Sequence, residues 1–452
     1  MYQVKNPATG EVEATYPMMS DSEVAQAVDA VEVGYREWIQ RPLSERQAIV
    51  RKAADLFEER KQDLACIIAR EMGKPVDQGI GEIDTSRDIF RYYADHAEEF
   101  LAHEELSIEG GRALLQKKPV GPLIGIMPWN FPYYQVARFA APNLILGNTI
   151  LLKHARNCPE SAAAIQQILY DAGVPQNAYI NLYASSTQIA DAIADDRIQG
   201  VSLTGSERAG VAIGENAGKN LKPMVLELGG SDPLLVLDSH DIDATARQIA
   251  RARLRNAGQA CNSPKRLIVM DEYYDDFLKV IVEEFENAVV GDPMDPQTDV
   301  GPLSSEQALE ELIEQVEDTV KAGATLHTGG TRISDTGAYF RPAVLTDVTP
   351  QMRAYYEELF GPVAVVYRAQ SVEEALRLAN DSPFGLGSSI FTEDPEGALE
   401  IADQIETGMV FFNEAGGSQP DLPFGGVKRS GIGRELGALG IEEFMNKKVV
   451  RL

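Results

Sequence analysis

The chain has 452 residues, 44% of them hydrophobic and 24% charged, which is typical of a globular protein with two or three structural units. Its net charge of −28 repels phosphate backbones and anionic lipid, so we expect no nucleic-acid or membrane partner. No apolar run is long enough to span a membrane, and the first residues do not resemble a signal peptide, so a cytoplasmic location is expected.

The first hundred residues are predicted to be largely helical. Apolar residues recur at three- and four-residue spacing over 21–38 and again over 44–65. Ser44 is a candidate N-cap for the second of these helices.

From Gly121 onward, short apolar runs alternate with amphipathic segments. The predicted strands are 123–127, 149–152, 179–183, 201–203 and 224–226, and the predicted helices between them are 160–171, 187–195 and 207–217. This alternation favours a parallel sheet with right-handed crossovers, and hence a doubly wound, nucleotide-binding architecture.

A second alternating stretch follows the Gly229-Gly230 step, which we interpret as a hinge. Its predicted strands are 234–237, 266–269, 361–367 and 408–412, and its predicted helices are 242–256, 275–288 and 372–378. The pattern predicts a second α/β unit. The tail 447–452 is too short to form its own core, and we expect it to pair with a sheet of another subunit.

The cysteines and histidines give no sign of a metal or a disulfide framework. Cys66, Cys158 and Cys261 are few and far apart, and none forms a C-x-x-C pair. The five histidines show no metal-binding spacing. No metal is therefore expected.

Three polar residues are candidates for nucleophilic catalysis, as the nucleophile, the general base and the donor to an oxyanion. Cys261 lies in a loop of small residues that leaves room for a substrate, although a structural cysteine is the alternative. Glu227 ends an apolar strand, where partial desolvation raises the pKa of a carboxyl towards the range of a general base. Asn130 lies between two prolines, and its amide suits either an oxyanion or an ordinary turn.

The usual G-x-G-x-x-G dinucleotide motif is absent. Instead, the segment 204–210 runs from a predicted strand into a predicted helix and contains Gly205. A glycine at this place allows the backbone to approach a pyrophosphate at the helix N-terminus, although a plain turn is the alternative.

Together these segments resemble the aldehyde dehydrogenase superfamily. The resemblance runs from 6–10 to the C-terminus, and its seven motifs stand in the family's order at 128–132, 152–153, 204–206, 226–230, 258–261, 358–362 and 423–431. It implies an α/β, aldehyde dehydrogenase-like fold with a Rossmann-like cofactor domain (1–100 and 119–229) and an α/β catalytic domain (230–435). It also implies a small oligomerisation β element (101–118 and 436–452), and hence a homodimer or homotetramer.

The resemblance further implies oxidation of a small aldehyde through a thiohemiacetal and a thioester. Cys261 would attack the carbonyl, with the Asn130 amide and the Cys261 backbone N–H holding the oxyanion, and Glu227 would activate the hydrolytic water. The residues implied for the cofactor site are Trp129, Asn130, Lys153, Arg156, Gly205, Ser206, Leu228, Glu358 and Phe360. Many NAD-preferring relatives carry glutamate at the position of Arg156, so NADP is the preferred cofactor, with NAD and a solvent-facing Arg156 as the alternative.

Within the superfamily the sequence is most similar to succinate-semialdehyde dehydrogenases. Arg138 and Ser418 match the residues that those enzymes turn towards the substrate carboxylate, and Phe131 is expected to line the same pocket. An ordinary solvated arginine is the alternative for Arg138. Gly416 and Gly417 replace bulkier residues, and Asp421 stands near an arginine of some relatives, which leaves another small aliphatic aldehyde open. Ser263 at the second position after the nucleophile excludes a vicinal disulfide.

Two functions of other kinds are alternatives to this one. A reductase of acyl-CoA or acyl phosphate uses the same cysteine but can dispense with the water-activating glutamate, so Glu227 favours hydrolytic release. A non-catalytic structural or binding member is disfavoured because Cys261, Glu227 and Asn130 are all present.

Overall fold

The N-terminal half of the chain contains nine helices and nine strands. The computed structural model describes all 452 residues, and the elements of this half are β1 (Tyr2–Lys5), β2 (Val12–Tyr16), α1 (Asp21–Trp38), α2 (Leu43–Glu59), α3 (Lys61–Met72), α4 (Val76–Asp95), α5 (Ala97–Leu101), β3 (Glu104–Leu106), β4 (Ala113–Pro119), β5 (Pro122–Met127), α6 (Tyr134–Leu146), β6 (Thr149–His154), α7 (Pro159–Ala172), β7 (Tyr179–Asn181), α8 (Ser186–Ala194), β8 (Gly200–Thr204), α9 (Glu207–Lys219) and β9 (Met224–Glu227).

The C-terminal half repeats the alternation of strands and helices. Its elements are β10 (Asp232–Val236), α10 (Ile242–Leu254), a 3₁₀ turn (Arg255–Gly258), β11 (Pro264–Met270), α11 (Asp271–Asn287), α12 (Glu306–Lys321), β12 (Thr325–Thr328), β13 (Ala343–Thr346), α13 (Arg353–Tyr356), β14 (Val363–Ala369), α14 (Val372–Asn380), β15 (Phe384–Gly385), β16 (Gly387–Phe391), α15 (Leu399–Ala402), β17 (Met409–Phe412), β18 (Val427–Lys428), β19 (Gly431–Ile432), α16 (Gly437–Glu442) and β20 (Met445–Arg451).

The helix predicted over 21–38 is confirmed as α1, which the side chain of Ser20 caps in a reciprocal capping box with Glu23. The helix predicted over 44–65 is wrong as a single element. The chain breaks at Arg60, which leaves helical geometry with φ −102° and ψ 7°, and α2 begins after Pro42 with no side-chain cap. Ser44 therefore lies inside the first turn.

The first sheet has six strands in the order β19-β9-β8-β5-β6-β7. All neighbours are parallel except β19, which runs antiparallel to β9. The five strands predicted between residues 123 and 226 are all present, and so are the three helices between them. The parallel, doubly wound architecture predicted for this unit is thus confirmed. Strand β19, which lies near the end of the segment 230–435, forms the edge of this sheet.

The second sheet has seven strands in the order β12-β13-β14-β11-β10-β16-β17, parallel except for β12. It confirms the predicted second α/β unit. The predicted helix 242–256 ends two residues early, at Leu254, because Asn256 and Ala257 adopt left-handed φ values of 54° and 51°.

The C-terminal tail pairs within its own chain. Strand β20 lies antiparallel to β4 along their whole lengths, and β3 completes a three-stranded sheet. Because β20 is an edge strand of this sheet, only one of its sides is paired with β4, and the expectation that the tail pairs with a sheet of another subunit stays a prediction. The segments 101–118 and 436–452, which were predicted to form one β element, contain β3, most of β4 and β20.

Two large apolar cores of 46 and 45 buried residues lie under the two main sheets. The half-buried side chain of Cys261, which comes from the second unit, packs against the core of the first. The cysteine thus lies where the two units meet. No helix is both long and apolar enough to cross a membrane.

Candidate active site

Cys261 lies in a tight loop between the 3₁₀ turn that follows α10 and the start of β11. Three successive residues before it, Asn256, Ala257 and Gly258, have left-handed φ values of 54°, 51° and 69°. A Cβ atom on Gly258 would lie 2.2 Å from the carbonyl oxygen of Gly361, so only glycine fits this close approach of two backbone segments. The loop therefore has a conformation that costs energy and that its neighbours must hold.

Arg253 holds the Cys261 loop in place through hydrogen bonds from its guanidinium. Its guanidinium is fully buried with no salt-bridge partner, and it donates to five oxygens: Gly258 O (3.0 Å), Ser263 Oγ (2.9 Å), Val363 O (2.9 Å), Leu359 O (3.0 Å) and Gly361 O (2.5 Å). Burial lowers its pKa to about 9. Arg253 thus ties the Cys261 loop to the segment 359–363.

The Asn130 loop is held by a buried ion pair from the N-terminal helices. Lys74 pairs with Glu82 and donates to the carbonyl oxygen of Asn130 (2.9 Å). Glu82 in turn accepts two backbone N–H groups at the start of α6 (2.8 and 3.2 Å). The Asn130 amide donates to the carbonyl oxygen of Gln259 (3.1 Å), and the Asn256 amide donates back to Asn130 O (3.0 Å). These bonds bring Asn130 against the Cys261 loop.

Glu227 ends β9 in a site that water hardly reaches. Its side chain is buried, and neither carboxyl oxygen has a hydrogen-bond partner. Burial raises the pKa of Glu227 well above its ordinary value, the charge of Arg138 lowers it, and the charge of Glu435 raises it again. A carboxylate whose pKa is raised in this way is a stronger base than an exposed one, and its two oxygens have no other hydrogen-bond donor.

Arg138 is buried beside these acids. Its Nε lies 2.6 Å from Glu435 Oε2, its Nη2 donates to Thr204 Oγ1 (3.3 Å), and its Nη1 donates to the Tyr134 hydroxyl (3.2 Å). The guanidinium also lies 4.5 Å from the ring centroid of Phe424. Burial works to lower its pKa, but the neighbouring acidic groups, first of all Glu435, together outweigh burial and raise the pKa, so Arg138 stays charged. Two of its N–H groups thus donate to hydroxyls, while Nε is in ion-pair contact with Glu435.

A cavity of about 350 Å³ opens onto the thiol, and we call it the Cys261 cavity. Among the residues that line it are Cys261, Phe131, Tyr134, Arg138, Ser418 and Arg255. The Tyr134 hydroxyl donates to Ser418 Oγ (2.6 Å). Arg255, by contrast, is exposed, and its guanidinium has no hydrogen bond and no acidic partner. The cavity thus holds one free cation.

The Cys261 thiol is a weaker acid than an ordinary cysteine thiol. Burial raises its pKa to about 12, while the charges of Arg138 and Lys265 lower it and those of Glu227 and Glu358 raise it. Attack on a carbonyl carbon needs the thiolate, so the site must remove this proton.

A second cavity, of about 270 Å³, is lined by Trp129, Phe360 and Glu358, among others. The rings of Trp129 and Phe360 meet edge to face at 5.7 Å. The Glu358 carboxylate accepts from Gly230 N (3.1 Å) and lies 3.2 Å from the ammonium of Lys265. We call this cavity the Trp129 cavity. Its lining includes the Glu358 carboxylate, which Gly230 and Lys265 hold in place.

The residue pattern of the aldehyde dehydrogenase family matches residues 1–450 of this chain. The chain belongs to the aldehyde dehydrogenase family. It is 51% identical over 446 residues to the succinate-semialdehyde dehydrogenase [NADP(+)] of Deinococcus radiodurans, an alignment that covers 99% of this chain and 94% of that protein. A probable succinate-semialdehyde dehydrogenase [NADP(+)] of Synechocystis sp. is 42% identical over 98% of each chain.

Solved structures share the same fold. The succinic semialdehyde dehydrogenase of Streptococcus pyogenes, crystallised with NADP+ as the cofactor, superposes with a TM-score of 0.98 at 42% identity and covers both chains completely. The predicted aldehyde dehydrogenase fold and the resemblance from which it was inferred are therefore confirmed.

The remaining residues predicted for the cofactor lie at the ends of strands of the first sheet or in the turns that follow them. Lys153 ends β6 half-buried and without an acidic partner, and burial, with the charge of Arg156, lowers its pKa to about 8. Arg156 is exposed, is also unpaired, and lines a third cavity of about 550 Å³ that includes Trp129. Ser206 accepts from Ala209 N (3.3 Å) as the N-cap of α9.

Two further predicted residues contribute backbone geometry more than side-chain chemistry. The N–H of Gly205 donates to Glu227 O (2.9 Å), which fixes the start of α9 beside the carboxyl-bearing strand. Leu228 packs so closely on Gly210 that a Cβ there would lie 2.6 Å from its methyl group. Both residues set the distance between α9 and the end of β9.

Several residues of the site could not be predicted from the sequence. Each of them contacts a predicted residue or motif or lines the Cys261 cavity, and they are Lys74, Glu82, Tyr134, Arg253, Arg255 and Lys265. Only Arg255 left a signal, because it stands six residues before Cys261 in the same motif region. The others act through contacts between segments far apart in sequence.

Proposed function

We propose that this aldehyde dehydrogenase oxidises succinate semialdehyde to succinate with NADP+ as the electron acceptor. The observation that supports the substrate best is the composition of the Cys261 cavity. A thiol lies in the same cavity as the linked hydroxyls of Tyr134 and Ser418 and the unpaired guanidinium of Arg255. An aldehyde that carries a carboxylate a few bonds away matches both groups.

The carboxylate would be bound by contacts inside the cavity, because a chain at −28 has no long-range attraction for an anion. Arg255 offers donors that no protein acid has taken. Ser418 and Tyr134 offer hydroxyls, and Arg138 donates to the Tyr134 hydroxyl from behind (3.2 Å). Arg138 therefore acts on the substrate chiefly through Tyr134, since Glu435 occupies its Nε.

The chemistry would begin at Cys261. The thiolate adds to the aldehyde carbon, and the Asn130 amide and the Cys261 backbone N–H hold the oxyanion of the thiohemiacetal. Loss of hydride leaves a thioester on Cys261. Glu227, whose pKa burial raises, then takes a proton from the water that hydrolyses this thioester. Its unpartnered oxygens can accept that proton.

The residues around the Trp129 cavity and the start of α9 fit a phosphorylated dinucleotide. Lys153 and Arg156 are cations without protein acids, and Glu207 in the first turn of α9 is neutralised by an ion pair with Arg429. Donors and unpaired positive charge suit phosphate groups, and Arg156 suits the 2′-phosphate that distinguishes NADP from NAD. Glu358 would bind ribose hydroxyls, with Trp129, Phe360, Gly205, Ser206 and Leu228 around the same ligand. When bound, NADP+ supplies the acceptor for hydride.

Three further points remain proposals. The boundaries of the cofactor domain (1–100 and 119–229), the catalytic domain (230–435) and the oligomerisation element are those of the sequence prediction. The three-stranded sheet β20-β4-β3 is the surface we expect to join subunits into a homodimer or homotetramer. A cytoplasmic location remains a prediction.

The test is an assay of NADPH formation at 340 nm with purified protein, succinate semialdehyde or butanal, with and without coenzyme A. We expect turnover with succinate semialdehyde that needs no coenzyme A, and none with Cys261→Ala. Glu227→Gln should give one burst of NADPH per active site and then stall, because the thioester is not hydrolysed. A Glu227→Gln variant that turns over like wild type would refute the role of Glu227, and dependence on coenzyme A would favour the acyl-CoA alternative.

A further inference from the structure

Lys265 is a buried lysine that touches both halves of the site, and the chemistry proposed above does not use it. Lys265 is the second residue of β11 and follows Cys261 by four positions. Its side chain is 2% exposed. The ammonium donates to the carbonyl oxygens of Ala260 and Cys261, both at 2.8 Å, and lies 3.2 Å from Glu358 Oε1. A longer contact of 3.5 Å joins it to the carbonyl oxygen of Ser263, so its three N–H donors face four oxygens, all of them in the site.

The surroundings of Lys265 connect three segments. Glu358 also accepts from Gly230 N, which directly follows the Glu227-Leu228-Gly229 strand end. A Cβ on Gly229 would lie 2.5 Å from Glu358 Oε2, so the Glu358 carboxylate is in close contact with the backbone of Gly229. The ring of Phe360 is 6.0 Å from the ammonium. One cation thus links the nucleophile loop, the glutamate of the Trp129 cavity and the end of the Glu227 strand.

Charged groups surround the thiol on several sides. Arg138 and Lys265 are the cations and Glu227 and Glu358 the acids that act on its pKa most strongly, and the phenol of Tyr134 lies beside them. The same cavity is also lined by Arg255, Glu82 and Glu414. Arg138 is neutralised by Glu435, whereas Lys265 is balanced by Glu358 and, from β10, by the buried carboxyl of Asp232. In a buried site, removal of either partner of the Lys265–Glu358 pair changes the field at the sulfur, and the two removals act in opposite directions.

We propose that Lys265 is a positioning residue that holds the Cys261 loop through two carbonyl groups and, in balance with Glu358, sets how readily the Cys261 thiol loses its proton. The inference rests on the proposed role of Cys261 as nucleophile. Its test requires neither an aldehyde nor a cofactor, so it can fail while the proposed function stands, and the reverse.

The test measures the rate at which iodoacetamide alkylates Cys261, at about pH 8, by peptide mass spectrometry. A Cys66→Ser background removes the other accessible thiol, since Cys158 is buried. Lys265→Met keeps the length of the side chain but removes its charge. We expect the thiol pKa to rise by about one unit or more. A higher pKa leaves about tenfold less thiolate at this pH, and the greater nucleophilicity of the remaining thiolate offsets only part of this loss, so the alkylation rate should fall by about three- to ten-fold.

Two more variants separate charge from structure. Glu358→Gln should change the rate in the opposite direction, to about three- to ten-fold faster, because it removes the charge that balances Lys265. Lys265→Arg keeps the charge and should restore most of the wild-type rate. Lys219→Met, which removes an exposed lysine paired with Glu215 on α9, is the matched control and should change nothing.

An unchanged rate in Lys265→Met would overturn the proposal, and so would changes of the same sign in Lys265→Met and Glu358→Gln, which would indicate a loosened loop. If Lys265→Met does not fold, the comparison of Glu358→Gln with wild type decides. A rate that stays at the wild-type value or falls in Glu358→Gln would contradict the electrostatic role.

Discussion

Replacement of Arg255 by leucine tests directly how the Cys261 cavity selects its substrate. The guanidinium is exposed, has no acidic partner and lines the cavity that holds the thiol. A charge-assisted hydrogen bond contributes about 1.5–3 kcal/mol, which is roughly a 10- to 150-fold change in kcat/KM. We therefore expect Arg255→Leu to lose about that factor for succinate semialdehyde. Butanal has the same chain length without the carboxylate, so its kcat/KM should hardly change.

The stability of the Arg255→Leu variant should stay within about 0.5 kcal/mol of wild type, because an exposed and unpaired side chain contributes little to folding. The matched control is Arg251→Leu, which removes the same charge from an exposed arginine one turn earlier on α10 but outside the cavity. Steady-state kinetics with both aldehydes, together with thermal melts, measure all of this. An equal loss for both aldehydes, or an equal loss in the control, would refute the assignment of Arg255 to the carboxylate.

Two other substitutions probe the remaining cations. Arg156→Glu should weaken the use of NADP far more than that of NAD, because a carboxylate repels a 2′-phosphate; kcat/KM for each cofactor measures this, and equal losses would contradict it. Arg138→Leu should lower the free energy of unfolding by about 3–5 kcal/mol and depress activity with both aldehydes, because it leaves Glu435 buried without its partner. Denaturant melts check the first effect, and an unchanged midpoint would argue that the buried pair does not stabilise the fold.

Much of the fold could be predicted because its strands are uniform apolar runs. Residues 149–154 and 200–204 are buried almost throughout, as strands covered on both faces must be, and the glycines between them mark the turns. Helix α4 was not predicted as an element, since Gly79, Gly81 and several acids interrupt its apolar pattern. Its burial comes from packing on α2 and α3, which a local pattern does not record.

The site was predictable only where its residues stand in compact motifs. Asn130, Glu227 and Cys261 are recognisable from their immediate neighbours. Arginines occupy every second position from 251 to 255, at the end of α10 and just after it. Nothing in the sequence indicates that Arg253 is fully buried while Arg251 and Arg255 are exposed. Its acceptors are mostly backbone carbonyl groups, which are present at every position and therefore leave no signal in residue types.

The pairing of β19 with β9 and of β20 with β4 has a consequence for synthesis of the chain. The first unit is built from residues near the N-terminus, yet its sheet and its buried cations are completed by residues 431–452 and by Glu435. While the ribosome still holds that segment, the edge of β9 is open and Arg138 lacks the carboxylate of Glu435. We expect the N-terminal half to remain a partly folded intermediate during translation, dependent on chaperones until release, so that ribosome-stalled chains without the last segment should be sensitive to protease.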